Sequence, residues 1–254
     1  MRRLVLTLGL AAGLVATAAV AAAPAAKPKP RPAAARKGPP DFSGVWLAKN
    51  GSVIIRSTSE GWPPPFQPWA RAIFDKTQAA EKNNEPIADN VTNCLPHGVP
   101  RIMGAPFPIK IMQTAKEVVL MHEAHHMDRI IYMNEKHPAD LDLTYMGHSV
   151  GRWEGDTLLV DTTGRNDKTV IDRNGIVNSD ALHVMEKFRL TEGGKILEDT
   201  ITVDDPKVFT KMWSYKIELV RRPDVRLMEY ICDNNLDVGP EGQPIAIGTG
   251  KPAN

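Results

Sequence analysis

The sequence predicts a mainly β protein, in which one antiparallel sheet closes into a barrel or folds into a sandwich and one short helix precedes it. From Ile109 onward, short β-rich segments recur between turn signals, as is typical of strands joined by tight turns. No helical periodicity of useful length interrupts these segments. The single amphipathic helix is predicted from Pro68 to about Lys82, because the first turn of a helix accommodates a proline.

The first 40 residues are predicted to lie outside the folded domain. Two arginines precede an apolar run from residue 4 to about residue 20, and small residues follow, so residues 1–23 have the layout of a secretory signal peptide. Residues 24–40 contain only Pro, Ala, Gly, Lys and Arg, a composition typical of a disordered linker. We therefore expect a periplasmic or secreted protein without a stable membrane anchor after cleavage. Residues 41–254 would form a single domain with an irregular tail from about residue 236.

Charge and cysteine content narrow the partners and the compartment. Seven of the 31 basic residues precede Asp41, so the remaining 24 stand against 30 acidic residues and the folded part carries a net charge of −6. We therefore do not expect the protein to bind nucleic acid, because the phosphates of nucleic acid need a basic protein surface. The only two cysteines, Cys94 and Cys232, are predicted to form a disulfide in an oxidising compartment.

The first of three predicted hairpins turns at Gly155 and Asp156. This turn pairs Trp153 with Leu158 on an apolar face and makes His148 and Asp161 diagonal neighbours on the opposite face. A carboxylate beside an imidazole fixes its tautomer, so His148 and Asp161 are candidate catalytic residues, although the apolar face of the hairpin places them outside a barrel.

The second hairpin turns at Gly193 and Gly194 and aligns two carboxylates on an apolar wall. Glu186 and Asp199 become diagonal neighbours there. An apolar wall and a second acid push carboxyl pKa values apart, as a general acid and base require. If the two acids are buried, Arg129 or Arg152 is expected to neutralise them.

The third hairpin places an apolar row from Trp213 to Leu219 opposite a returning strand over residues 225–231, in which Glu229 interrupts the apolar alternation. Glu229 is therefore a further candidate interior acid. Trp153 and Tyr230 are the aromatic candidates for ligand contact, together with Asp199, Glu229 and Arg152.

The run His122-Glu123-Ala124-His125-His126 matches the H-E-x-x-H motif of zinc hydrolases. That motif binds zinc only on a helix, whereas on a strand the two outer histidines lie about 13 Å apart. Apolar β-branched flanks favour a strand and a hairpin that pairs Glu123 with Arg129. A zinc hydrolase therefore stays the less favoured alternative, and no metal or cofactor is expected.

Several segments together carry a resemblance to a large family of exported bacterial proteins. They are residues 43–46, 94–100, 147–162, 182–186, 202–206 and 229–232, with Glu123 and Arg129 at their family spacing. The resemblance implies a predominantly antiparallel lipocalin- or calycin-like barrel but no particular activity. It favours the hairpin over the zinc motif, and it places Asp199 where the family often has tyrosine.

Two functions stay open at this point. The first is a barrel that binds a small apolar or aromatic molecule and performs cofactor-independent acid–base chemistry as a lyase, isomerase or hydrolase. Its catalytic residues would be Glu186, His148, Asp161, Arg129 and Glu123. The second is a non-catalytic binding or carrier protein with the same polar groups satisfying one another.

Overall fold

A computed structural model describes residues 38–51 and 54–232 of the chain. The predicted signal peptide, most of the predicted linker and the predicted tail from residue 236 lie outside the described residues. The described part contains nine strands and one α-helix. The strands are β1 Gly44–Ala48, β2 Ile109–Gln113, β3 Glu117–His122, β4 Asp128–Met133, β5 His148–Glu154, β6 Thr157–Thr163, β7 His183–Thr191, β8 Ile196–Asp204 and β9 Trp213–Arg221, and the helix is α1 Pro68–Lys82.

The nine strands form one closed barrel in chain order, which confirms the predicted mainly β barrel. Strand β1 closes it by pairing with β2 on one side and with β9 on the other. Every pair is antiparallel except β4 and β5, which run parallel with Ile131 opposite Ser149. The prediction of a purely antiparallel barrel is therefore wrong at this pair. The crossover between them, residues 134–147, returns the chain to the same end of the barrel, as a parallel pair requires.

The two glycine-turn hairpins have the predicted registers. Trp153 lies opposite Leu158 across β5 and β6, and Phe188 lies opposite Asp199 across β7 and β8. The inward rows are buried, since alternate residues of each strand face the core. Helix α1 begins and ends where the sequence predicts, and its buried Phe74 packs against the ring of Phe66.

The prediction of a last strand after β9 is wrong. Residues 225–232 form no strand, and the position beside β9 is occupied by β1, with Trp46 opposite Arg221. Residues 225–232, which we call the strap, instead contact the barrel through a few separate interactions. The backbone N–H of Met228 donates to Glu123 Oε2 at 2.7 Å. Glu229 is exposed on the strap, so it is not an interior acid.

The predicted disulfide between Cys94 and Cys232 is confirmed, with 5.6 Å between the two Cα atoms. It joins residues 138 apart in sequence and fixes the end of the strap. No helix among the described residues has both the length and the apolar character needed to span a membrane.

Replacing both cysteines by serine is expected to lower the free energy of unfolding by ~4 kcal/mol, because the unfolded chain regains the freedom of a long loop. Urea unfolding of the C94S/C232S variant, compared with oxidised and reduced wild type, measures this loss. Reduced wild type should match the variant. An unchanged urea midpoint in both would show that the bridge does not stabilise the barrel.

Candidate functional site

A buried arginine organises the polar groups inside the barrel. Arg129 of β4 points inward and its Nη1 donates to Glu186 Oε1 at 2.8 Å, while its Nη2 also contacts Glu186 Oε2. The same guanidinium donates to Ser149 Oγ at 3.1 Å and to Thr162 Oγ1 at 2.8 Å. The prediction that an arginine neutralises the interior acid is confirmed for Arg129. It is wrong for Arg152, which is exposed and pairs with Glu154 at 3.0 Å.

Asp199 lies beside this ion pair but accepts no hydrogen bond from any described residue. Both of its carboxyl oxygens are buried and unpartnered. Burial raises the pKa of Asp199 well above its ordinary value, and the negative charge of Glu186 raises it further, against the opposing effect of Arg129. Burial and Glu186 therefore favour the protonated form of Asp199, beside the Glu186 carboxyl group that Arg129 contacts.

The interior acids are sealed from solvent. Glu186 is 1% exposed and Asp199 is 0% exposed. The apolar interior between Leu158, Phe188 and Leu197 leaves a void of only about 10 Å³, which is the room for one water molecule. Because a general acid must reach its substrate, the catalytic role of Glu186 stays a prediction, and its contacts are those of an internal ion pair.

A second polar cluster lies on the outer face of the barrel, where the register puts Asp161. Asp161 Oδ1 is 2.8 Å from His183 Nε2 and 3.0 Å from His137 Nε2, and the other ring nitrogen of His137 is 2.9 Å from His148 Nδ1. His148 and Asp161 were predicted to be neighbours on this face. His137 intervenes between them, and sequence reasoning missed it because it lies on the crossover rather than on a strand.

Contacts within this cluster shift the pKa values of its members. The hydrogen bond from His183 lowers the pKa of Asp161, and the same bond raises the pKa of His183. Partial burial lowers the pKa of His148, and the neighbouring His137 lowers it further. At neutral pH this arrangement therefore holds an ionised Asp161 and a neutral His148.

The H-E-x-x-H run does not form the helix that the zinc motif needs. His122 ends β3 and residues Ala124–His126 form one 3-10 turn in which His125 has a φ of 57°. Within residues 38–51 and 54–232, no group of three or more His, Cys, Asp or Glu could hold a metal ion. The predicted pairing of Glu123 with Arg129 is also wrong, because Arg129 lies opposite Leu120.

The remaining candidate residues support the fold locally. Glu123 accepts from the strap as described above, and Tyr230 on the strap packs edge-on against Phe107 with ring centroids 5.1 Å apart. Trp153 packs against Phe42 with ring centroids 5.0 Å apart. These residues are separated from both polar clusters, so the structure does not bring the predicted site residues together in one place.

A cavity of about 600 Å³ opens in the wall of the barrel beside β9. After β1 ends, the N–H of Lys49 still donates to the carbonyl of Glu218, and the chain next returns to β9 where the N–H of Ser59 donates to the carbonyl of Ser214. Described residues between these two contacts line the cavity, together with residues of β9. Its described lining consists of residues 48–51, 54–59, 101, 104, 171, 200 and 214–218.

The cavity combines apolar walls with basic groups. Ile171 and Ile217 contribute apolar surface and Tyr215 contributes a phenol. Arg101 is buried and bonds Asp89 through both Nη atoms, at 2.8 and 2.6 Å, while its Nε–H has no acceptor among the described residues. A buried donor without an acceptor costs about 1–3 kcal/mol. A ligand or water that accepts from Arg101 would therefore be stabilised there.

A buried carboxyl, that of Asp172, holds Ile55 in the wall of the cavity. Asp172 accepts from the N–H of Ile55 at 2.9 Å and from the N–H of Ile176 at 3.2 Å. Burial raises the pKa of Asp172 to about 6, although its hydrogen bonds act in the opposite direction. The wall of the cavity thus depends on a carboxyl that changes charge near pH 6.

The fold and this cavity define a closed β-barrel with a ligand-sized opening in its wall, an architecture compatible with small-molecule binding. The disulfide is typical of a protein outside the cytoplasm. Neither the protein-family models nor the curated proteins compared with the sequence give a match.

Replacing Arg129 by methionine is expected to lower the free energy of unfolding by ~3–5 kcal/mol, because Glu186 would be left charged and unpaired in the core. The matched variant Asp199→Asn should change it by less than about 1 kcal/mol at pH 7, since Asp199 accepts no hydrogen bond. Urea unfolding measures both. Equal losses in the two variants would contradict the assignment of the charge to Glu186.

The stability difference between wild type and Asp172→Asn is expected to depend on pH. The folded-state pKa of Asp172, about 6, lies above the ordinary 3.8. Its contribution to the free energy of unfolding is therefore fully present below pH 3.8 and is lost as the pH rises through 6. Between pH 3.5 and 7.5, wild type should lose ~3 kcal/mol relative to the variant. A constant difference in urea unfolding across this range would rule the effect out.

Proposed function

We propose that this protein is exported and binds a small molecule in the cavity beside β9. The observation that carries the proposal is the cavity itself, whose volume of about 600 Å³ lies within the range of small-ligand sites. The signal-peptide-like first 23 residues, the disulfide and the resemblance to exported bacterial proteins all support a periplasmic or secreted location.

The lining favours a small apolar or aromatic molecule that carries an acceptor or anionic group. Ile171, Ile217 and Tyr215 offer apolar and aromatic contact. Arg56 lies at the exposed rim and forms no ion pair with a described residue, and Arg101 offers its unpartnered Nε–H from the buried side. Both groups recognise negative charge, in a folded part whose net charge is negative.

Carriage or storage of the ligand needs no chemistry at the cavity. The interior acid Glu186 does not line the cavity and is only 1% exposed. The binding and carrier function is therefore favoured over acid–base catalysis by Glu186. Mass spectrometry of small molecules that co-purify with the native protein would identify the occupant.

An anionic aromatic probe, 1-anilinonaphthalene-8-sulfonate, is expected to bind the mature protein in this cavity. Arg56→Glu should weaken its binding at least ~10-fold by reversing the charge at the rim, and Ser57→Trp should weaken it similarly by filling the mouth. Fluorescence titration gives the dissociation constants. The control Arg226→Glu changes an exposed arginine outside the lining and should stay within about twofold of wild type. Equal binding by all four proteins would overturn the assignment.

A further inference from the structure

The outer cluster is separate from the cavity and contains three histidines around one carboxylate. We propose that Asp161, His137 and His148 form a hydrogen-bonded relay that makes Nε2 of His148 an oriented base and nucleophile toward activated acyl compounds such as aryl esters. The proposal concerns a second activity, and it holds whether or not the cavity binds a ligand.

The donors and acceptors along the relay are fixed by Asp161. An ionised carboxylate can only accept hydrogen bonds, so the Nε2 of His137 must carry the proton of the 3.0 Å contact. The proposed relay uses the neutral form of His137, in which Nδ1 then has only its lone pair. The Nδ1 of His148, 2.9 Å away, must therefore be the donor. Nε2 of a neutral His148 is left with a lone pair and no proton.

The reactive nitrogen is accessible and its ring is held in place. Nε2 of His148 makes no hydrogen bond with any described residue and is not among the buried unpartnered atoms. Tyr132 of β4 stacks on the imidazole with ring centroids 5.1 Å apart and an interplanar angle of 15°. Stacking on one side and the bond to His137 on the other limit rotation of the ring, which lowers the entropy cost of a reaction there.

The charged groups around the relay come from four elements. The negative charge of Glu135, on the crossover, favours the protonated form of His148 and so opposes the lowering of its pKa by burial. Asp204 of β8 favours the protonated form of His183 of β7 in the same way, and His183 contacts the carboxylate of Asp161 on β6. His183 donates to the same Oδ1 as His137, so it holds Asp161 in place without touching His148. The acyl compound would approach from solvent.

The reaction balances with water as the only co-reactant. The lone pair of His148 Nε2 attacks the carbonyl carbon, the bond to the aryl oxygen breaks, and the aryloxide leaves with the electron pair. The proton on His148 Nδ1 moves to Nδ1 of His137, whose positive charge is stabilised by Asp161. Water then cleaves the acyl–imidazole. Its oxygen and one hydrogen leave in the carboxylic acid, its second proton is released to solvent and balances the aryloxide, and His137 returns its proton to His148 Nδ1.

The test is hydrolysis of p-nitrophenyl acetate by the mature full-length protein, followed through release of p-nitrophenolate. His148→Ala should lower the protein-dependent rate at least ~10-fold. His137→Ala, which removes the acceptor of the His148 proton, and Asp161→Asn, which weakens the positioning of His137, should each lower it several-fold and change its pH profile. His126→Gln, which alters an exposed imidazole outside the relay, should leave the rate unchanged. A His148→Ala rate equal to wild type would overturn the proposal.

A second measurement tests the relay without any substrate. Nitrogen-15 NMR of the mature protein at pH 8 should show the Nδ1–H tautomer for His148 and the Nε2–H tautomer for His137. The His137→Ala variant should lose the fixed tautomer of His148. A protonated Nε2 on His148 in the wild type would overturn the relay even if the ester is hydrolysed, and thermal unfolding of each variant confirms that it is folded.

Discussion

The interior of the barrel depends on the guanidinium of Arg129. This one group projects from β4 and reaches hydroxyls on β5 and β6 and the carboxylate of Glu186 on β7, while Asp199 on β8 lies within its field. A shift of any of these strands by one residue would turn its polar group outward and leave a charge buried without a partner. Such an error is penalised by several kcal/mol, so the ion pair disfavours registers that are shifted by one residue.

The same network lies in a closed interior with very little free space. The hydrogen bonds of a charge pair are electrostatically stronger where water is excluded, and the surrounding apolar rows leave almost no free volume. Space occurs instead beside β9, where the cavity opens, and accessible polar groups occur where side chains face outward, around Asp161. The buried ion pair and the cavity therefore have different lining residues.

How far the sequence could predict this structure depended on the range of each interaction. The Gly-Asp and Gly-Gly turns define register locally, so the pairing of Phe188 with Asp199 could be predicted, and an apolar row could be assigned to the inside. Strand direction across a long connection leaves no such signature, and neither does the choice of β1 over residues 225–231 as the partner of β9. The cavity and His137 both belong to irregular segments, where periodicity carries no information about position.

The crossover that makes β4 and β5 parallel has an evolutionary consequence. Because His137 of the segment 134–147 contacts outward-facing side chains, substitutions around His137 can change the polar groups of the outer face without opening a void in the core, whereas Met146 of the same segment is buried in the core. A tight hairpin turn in the same place would be too short to reach these side chains. Polar residues around His137 could therefore change during evolution while the fold of the barrel is conserved.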